Sequence, residues 1–220
     1  MPACGSNSPD AGVSIGGYFK DGTPFVYLEF LLASWGGGPN RDGADALTGM
    51  IINYSNTPAE LVETEQPLVV ERYSFVPDSG GPGRWRGGLA MDRHLRFTAD
   101  EAIFQVRSDR RDVRPYGLHG GAPGAPSDVT IRRADGTEEQ HPAKFLTTVH
   151  KGDLLHIRLA GAGGYGNVLE REPERVLEDV LDGKVSLAAA EKDYGVVIRG
   201  SPPAIDRAAT AARRKRMAQG

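Results

Sequence analysis

Glycine and proline are the residues that most constrain how this chain can fold. The sequence holds 29 glycines and 15 prolines among 220 residues, and they fall in clusters between apolar runs. Glycine permits backbone conformations that are closed to other residues, and proline has no amide hydrogen to donate to a strand or helix. This pattern predicts short strands joined by tight, shaped loops.

Between the glycine clusters, the apolar runs have the length and the periodicity of β-strands. The run at residues 24–32 is apolar or aromatic except for Glu29. It predicts a strand that is buried on both faces and covered by other elements. At residues 89–97 and 154–159, apolar side chains alternate with polar ones, which is the period of a half-exposed strand. Further strands are predicted at 68–76, 102–106 and 129–131.

Towards the carboxyl end the pattern becomes helical. An apolar stripe runs through residues 176–181, with Pro173 placed to begin a helix and Gly183 to end it. Ser186 can cap a second helix that ends at Gly195. We therefore predict an α+β fold: a mostly antiparallel β domain with glycine-rich loops and a small two-helix carboxyl-terminal end.

These elements divide the chain into three segments. Residues 1–23 are rich in Gly, Ser, Asn and Asp, so we expect a poorly ordered or partner-dependent leader. Residues 24–200 form the β-rich domain with its two helices. Residues 201–220 begin with Ser201-Pro202-Pro203 and contain the run Arg213-Arg214-Lys215-Arg216, so a flexible basic tail is expected.

Composition narrows the range of partners. With 26 basic and 29 acidic residues the net charge is only −3, so no overall field favours nucleic acid or a membrane surface. No run of about 18 apolar residues predicts a membrane-spanning helix. The amino terminus lacks the basic-then-apolar order of a secretory signal, and Cys4 is the only cysteine. These features predict a cytoplasmic protein without an internal disulfide.

The spacing of the histidines predicts no autonomous metal site. His94, His141, His150 and His156 show neither HxH nor HExxH spacing, and no acidic residue completes a zinc-binding pattern at a helical offset. The sequence contexts of Ser34 and Ser79 do not match Gly-x-Ser-x-Gly, which disfavours a self-sufficient hydrolase of the nucleophile-elbow kind.

The glycine cluster at residues 161–166 follows a predicted strand, but the next helix begins only near Pro173. It therefore lacks the strand-loop-helix context of a dinucleotide or phosphate-binding loop. Tight packing against another polypeptide is expected for this segment.

Several motifs occur in an order that one known family shows. They are Asn56-Thr57-Pro58-Ala59-Glu60, Arg72-Tyr73, PDSGGPGRWRGG at 77–88, PYGLHGG at 115–121, KGD at 151–153, GAGGYG at 161–166 and DYGVV at 193–197. Over roughly residues 53–198, this chain resembles the carboxyl-terminal portion of the hydantoinase B/5-oxoprolinase family.

The resemblance implies an activity that is shared between polypeptides. The reaction would be ATP-dependent opening of a cyclic amide or imide, with a hydantoinase A-type subunit handling ATP. The metal-associated positions of B-type proteins lie upstream of the segment that this chain resembles. ATP and a divalent metal are therefore expected on the A-type subunit and the amino-terminal hydantoinase B portion, and this chain alone would bind no cofactor. The alternatives are a component of a related ketone carboxylase, and a non-catalytic interaction module or fragment.

Eight residues are candidates for a substrate pocket, as positioning or anion-stabilising groups; the catalytic residues are unknown. They are Gly36, Gly37, Gly38, Asp42, Asn53, Arg110, Arg111 and His119. The arginines could pair with a carboxylate, and the histidine titrates in a range that suits proton transfer. The alternatives are a simple turn for the glycines, a solvated ion-pair loop for the arginines and a structural role for the histidine. We also expect an exposed apolar patch where a partner surface would sit.

Overall fold

The structure, a computed structural model, describes residues 5–8, 10–47 and 54–219. Within these ranges the strands are β1 Ala11–Tyr18, β2 Pro24–Leu31, β3 Leu68–Val76, β4 Ala90–Phe97, β5 Glu101–Arg107, β6 Asp128–Arg132, β7 Glu138–His141, β8 Lys144–His150, β9 Leu154–Arg158, β10 Ile198–Arg199 and β11 Ala204–Ile205. The helices are α1 Ala59–Glu65, α2 Pro173–Leu181, α3 Leu187–Tyr194 and α4 Arg207–Met217, with one 3-10 helix at Val168–Glu170. None of the described helices combines the length and apolar character needed to cross a membrane.

Two antiparallel sheets share one hydrophobic core. The first sheet has the strand order β2-β1-β5-β8 and the second has β3-β4-β9-β6-β7, while β10 and β11 form a separate ribbon. Ile15 and Phe104 of the first sheet, and Leu95 and Ile157 of the second, are buried in the same cluster. Each such side chain contributes about 1.5–3 kcal/mol when fully buried. The predicted α+β fold with mostly antiparallel strands is confirmed.

Strand β1 lies in the segment that was expected to be a leader. It pairs with β2 on one side and with β5 on the other, and Ala11, Val13 and Ile15 point into the core. Residues 11–18 are therefore ordered by contacts within this chain. Gly12 and Ser14 alternate with the apolar Ala11, Val13 and Ile15. This alternation gives β1 one apolar face, and the average composition of residues 1–23 does not reveal it.

Strand β2 is buried on one face only. Phe25, Tyr27, Glu29 and Leu31 point into the core, while Pro24, Val26, Leu28 and Phe30 are exposed. The expectation that residues 24–32 are buried on both faces is therefore wrong for the described part of the chain. Glu29, the charged residue of this strand, points into the core, whereas the adjacent Leu28 and Phe30 point outward.

The carboxyl-terminal end is a small helical unit with its own core. Val176 of α2 packs with Ala190 and Tyr194 of α3, the Ser186 hydroxyl caps α3, and Gly195 ends α3 in the left-handed conformation. The two predicted helices are confirmed.

A third helix, α4, occupies most of the segment that was expected to be a flexible tail. The Arg214 guanidinium donates hydrogen bonds to the carbonyls of Leu169, Arg171 and Tyr194, which holds this helix on the rest of the unit. Arg214, Lys215 and Arg216 lie in the last turn of α4, where positive charge interacts favourably with the helix dipole.

Candidate functional site

Five glycine-rich segments meet at one end of the two sheets and form what we call the loop bundle. Its segments are residues 5–8, 34–43, 79–88, 115–125 and 161–166. Their backbones bond to one another directly: Gly37 donates to the Gly163 carbonyl at 2.9 Å, and Gly163 donates to the Ser6 carbonyl at 2.8 Å. Trp85 and Tyr165 exchange both of their backbone hydrogen bonds at 2.9 Å. Three of the motifs that carry the family resemblance, those at 77–88, 115–121 and 161–166, are thus contiguous in space.

Glycine is required in the loop bundle because the backbones approach too closely for a side chain. A Cβ atom on Gly37 would lie 2.4 Å from the Trp85 carbonyl oxygen, and one on Gly163 would lie 1.9 Å from the Tyr116 carbonyl oxygen. The candidate residues Gly36, Gly37 and Gly38 are all buried in this packing. They shape the loop bundle from inside, which is a packing role. The segment 161–166 was expected to pack against another polypeptide, but it packs against loops of this chain.

Asp42 lies at the boundary between the loop bundle and the helical unit. Its carboxylate receives hydrogen bonds from Arg171 Nη1 at 2.6 Å and Nη2 at 3.0 Å, and from the backbone amide of Arg86 at 2.6 Å. Burial raises the pKa of Asp42, but the hydrogen bonds and charge of Arg171, together with Arg86, outweigh burial and hold this pKa below its usual value. The carboxylate is therefore charged at neutral pH.

The Asp42 contact belongs to a buried chain of ion pairs. Arg171 also donates to Asp179 at 2.7 Å, and Arg86 lies 3.4 Å from both Asp179 and Asp45. Sequence reasoning missed Arg171 and Asp179 because nothing local in their segments links them to residue 42. Arg86 was visible only as part of the motif at 77–88.

His119 lies on the surface of the loop bundle and connects to Asp42 through aromatic contacts. Its backbone has φ +51°, and its ring centre is 4.9 Å from that of Tyr165. Tyr165 pairs with Trp85, Arg175 lies over the Trp85 ring at 4.9 Å, and Arg175 is 3.6 Å from Asp42. A non-glycine residue in the left-handed region is uncommon and is enriched at functional sites.

Arg110 and Arg111 line a second region, a surface groove of about 620 Å³ between residues 109–113 and 142–144. Arg110 is also in the left-handed region, at φ +66°. Nη1 of Arg111 is enclosed and has no hydrogen-bond partner within the described part of the chain. An unpaired guanidinium N–H group is a potential donor to an anion. Asp109 forms an ion pair with Lys144 at 2.9 Å, as the solvated-loop alternative expects. Asn53 lies outside the described residues.

The outer face of the first sheet is apolar and contains a depression that we call the apolar trench. Its apolar walls are Leu28 and Phe30 of β2 and the adjacent Tyr54, its floor includes Gly12 and Ser14 of β1, and Gln105 and Arg107 of β5 complete it. The floor is low because the outward side chains of β1 are small. The trench has a volume of about 710 Å³. Beside it, Val26, Ile103 and Leu146 are 70%, 45% and 63% exposed.

Ser14 in the trench lies in a Gly-x-Ser-x-Gly pattern that was not considered with Ser34 and Ser79. Residues 12–16 read Gly-Val-Ser-Ile-Gly, which matches Gly-x-Ser-x-Gly. A nucleophile elbow needs a sharp turn between a strand and a helix. Here the whole pattern lies inside strand β1, so Ser14 occupies a regular strand position. The match therefore adds no hydrolase centre.

One group of side chains has the composition of a metal site. Asp92, His94 and His156 place one ligand-type atom each within 4.8 Å of one another on the outer face of the second sheet. The prediction that no metal site exists rested on spacing along the chain. Asp92 and His94 are on β4 while His156 is on β9, so only strand pairing brings them together.

Two antiparallel sheets, joined at one end by the glycine loop bundle and apolar on one outer face, define a β-rich domain. The chain belongs to the hydantoinase B/oxoprolinase family, whose model matches residues 1–168. That match covers the two sheets and the loop bundle. The helical unit from α2 onwards follows it.

Relatives and solved structures agree with this assignment. A protein of Pseudomonas sp. (strain NS671), provisionally named as the B subunit of a D-/L-hydantoinase, is 39% identical over 180 residues, covering 80% of this chain and 30% of the relative. The beta subunit of caprolactamase from Pseudomonas jessenii is 32% identical over 216 residues, covering 93% of this chain and 37% of the relative.

The crystal structure of the ATP-dependent caprolactamase from Pseudomonas jessenii matches with a TM-score of 0.75 at 28% identity, covering 96% of this chain and 38% of that one. A nucleotide-free acetone carboxylase structure matches with a TM-score of 0.83 at 19% identity, covering 97% of this chain and 34% of that one, which shows a shared fold. The chain thus spans about a third of the length of these proteins.

Proposed function

We propose that this chain is the carboxyl-terminal part of a B-type subunit in an ATP-dependent cyclic amide or imide hydrolase of the hydantoinase/oxoprolinase type. It supplies walls of the substrate pocket and an assembly surface. Membership of the family supports this proposal, as do the names of the relatives, one from a hydantoinase and one from a caprolactamase. The full relatives are about three times longer, so a second polypeptide portion would complete the enzyme.

The apolar trench and the exposed side chains beside it are the observation that carries this proposal. Val26, Leu28 and Phe30 are between 51% and 70% exposed on one strand. A contiguous apolar face of this kind marks an interaction site, because covering it removes apolar area from water. We assign the amino-terminal hydantoinase B portion as its occupant. This surface is also the exposed apolar patch that the sequence predicted.

The chemistry would be divided between the partners. The hydantoinase A-type subunit would handle ATP, and the amino-terminal B portion would hold the divalent metal, so this chain alone would be inactive. Opening a cyclic amide produces a carboxylate. The unfilled N–H group of Arg111 would stabilise that developing charge, and His119 would move a proton at its ring nitrogen. Because ATP is the co-substrate, we place the complex in the cytoplasm.

Co-expression of the three parts tests the proposal. The complex should convert a cyclic amide, such as a hydantoin or a lactam, to the ring-opened product with release of ADP, and the isolated chain should not. A charged substitution in the trench, Leu28→Lys, should prevent assembly while leaving the chain folded, because Leu28 is 63% exposed. Leu181→Lys is the matched control, since Leu181 is equally exposed on α2.

Two outcomes would replace the proposal. Incorporation of labelled bicarbonate into product, without ring opening, would identify a ketone carboxylase. Assembly without any turnover would identify a non-catalytic interaction module. Ring opening by the isolated chain would contradict the division of chemistry between the partners.

A further inference from the structure

Strand pairing creates a compact polar cluster on the outer face of the second sheet. Asp92 and His94 are two residues apart on β4, so their side chains point to the same face. The register of β4 and β9 places His156 directly opposite His94. Three potential metal ligands from two rigid strands therefore converge at one point.

The distances within this cluster suit a common metal ion. Asp92 Oδ1 is 2.6 Å from His156 Nε2, and Asp92 Oδ2 is 3.3 Å from His94 Nε2. Ligand atoms bound to one ion at about 2.1 Å, in tetrahedral or octahedral geometry, are about 3.0–3.4 Å apart. All three ligand-type atoms lie within 4.8 Å of one another, so side-chain adjustments within the cluster would bring them to these distances. Two imidazoles and one carboxylate form a donor set suited to divalent transition metals.

The cluster also contains a polar atom without a good partner. Nε2 of His94 is enclosed and, among the residues that the structure describes, makes no hydrogen bond of acceptable geometry, although Asp92 Oδ2 is 3.3 Å away. Leaving a buried polar atom unsatisfied is unfavourable, and coordination of a metal ion would satisfy it. A cavity of about 200 Å³ adjoins both histidines, so water has room to reach an ion. Glu71 and Glu138 in its lining are paired with Arg96 and Arg132.

Arg72 contacts the Asp92 carboxylate directly and opposes a cation there, while Arg96 and Arg132 line the adjoining cavity. The Nε of Arg72 lies 3.2 Å from Asp92 Oδ2, and it also donates to the Ser74 hydroxyl at 2.9 Å. The Arg72 side chain is 52% exposed, so it can leave the carboxylate without unpacking the core. It both occupies an oxygen of Asp92 and adds positive charge to the site.

We propose that Asp92, His94 and His156 form a binding site for a divalent transition-metal cation of the zinc class. Two imidazole nitrogens and a carboxylate oxygen are its ligands from this chain, and Arg72 tunes its affinity. The site sits on two central strands of the second sheet, so its geometry is fixed by the sheet itself.

Cobalt(II) is a suitable probe because its absorption spectrum reports coordination by nitrogen and oxygen. The full chain, without a histidine tag and stripped with a chelator, is titrated with Co²⁺ in a calorimeter and a spectrophotometer. We expect one ion per chain and visible d–d absorption bands. His94→Gln and His156→Gln should each weaken binding about tenfold or more. His150→Gln is the control, because His150 is exposed on β8 of the other sheet.

The Arg72→Gln variant gives an independent test, because it should tighten Co²⁺ binding several-fold by removing the competing charge. Misfolding would not produce a gain of affinity for Co²⁺. Circular dichroism checks that each variant is folded. The proposal is overturned if neither wild type nor Arg72→Gln binds Co²⁺ at millimolar concentration. It is also overturned if binding survives both histidine substitutions unchanged.

Discussion

The Glu29 carboxylate lies 3.2 Å from the Arg93 guanidinium in the core between the two sheets, where both side chains are at most 1% exposed. Glu29 also accepts hydrogen bonds from the Tyr27 hydroxyl and from the Thr57 amide, and Arg93 lies over the Tyr73 ring. One strand of each sheet thus contributes a charge to the buried interface between the sheets. Such a pair fixes how β2 and β4 face each other, because a buried charge without its counter-charge is strongly unfavourable.

Removing the Arg93 charge should destabilise the fold severely. Arg93→Met leaves Glu29 buried without its counter-charge, and we expect the free energy of unfolding to fall by about 3–5 kcal/mol. The double variant Glu29→Gln with Arg93→Met should recover most of that loss, because no unpaired charge remains. Urea unfolding followed by circular dichroism measures both. The exposed pair of Arg207 and Glu174 is the control, and Arg207→Met should cost less than about 1 kcal/mol. Equal losses in the single and double variants would contradict this account.

Asp42 should give the fold a dependence on acid pH. Its pKa in the folded chain lies below the ordinary value, so its contribution to stability is complete above the unfolded pKa and is lost as pH falls through the folded pKa. Asp42→Asn should therefore lower the free energy of unfolding by about 2–4 kcal/mol at pH 7. The difference from wild type should shrink below about pH 4. Urea unfolding at several pH values measures it, and a difference that stays constant down to about pH 3 would refute the assignment.

Local periodicity predicted the parts of the fold whose signal is local. The alternation at 89–97 and 154–159 corresponds to β4 and β9, and Ser186 and Gly195 bound α3 as expected. Strand β1 was missed because glycine and serine hide its apolar alternation. Strand β2 was predicted to be buried on both faces, but only one face is buried. The sequence does not distinguish an apolar side chain that packs in the core from one that is exposed on the outer face of the sheet.

The site was less predictable because its contacts join distant positions. Arg171 meets Asp42 across 129 residues, and His156 meets Asp92 across 64. Such pairs are set by sheet register and loop packing, which no short motif encodes. The glycine motifs were visible in the sequence, but their role as backbone-packing elements followed only from the distances between the segments of the loop bundle.

The exposed apolar face should make the isolated chain bind a hydrophobic dye and self-associate. Replacing Val26, Leu28 and Phe30 together with serine should reduce dye fluorescence several-fold. The free energy of unfolding should change little, by about 0.5 kcal/mol or less per site, because these side chains are more than half exposed. Dye titration and light scattering measure the two effects. Leu181→Ser is the control for a single exposed leucine, and unchanged dye binding in the triple variant would argue against the trench as an assembly surface.

Arg214 should anchor α4, which makes the carboxyl-terminal segment resistant to proteolysis. It donates to three carbonyls, those of Leu169, Arg171 and Tyr194. Arg214→Ala should lower the stability of the helical unit by about 1–3 kcal/mol and speed cleavage near α4 by thermolysin. Lys215→Ala, which removes an exposed neighbour, should leave cleavage unchanged. Rapid cleavage of wild type at the same place would instead support a flexible tail.

Substitutions in the groove that Arg110 and Arg111 line, and at His119 on the surface of the loop bundle, should change the kinetics of the assembled enzyme in different ways. Arg111→Ala removes a donor for the developing carboxylate, and Arg110→Ala alters the strained turn that presents it, so both should lower kcat/KM about tenfold or more. His119→Ala should lower kcat, because the imidazole that would move a proton is lost. Arg207→Ala, on the exposed face of α4, is the control for loss of a surface charge. If complexes form and Arg110→Ala and His119→Ala both retain full activity, these residues do not belong to the site.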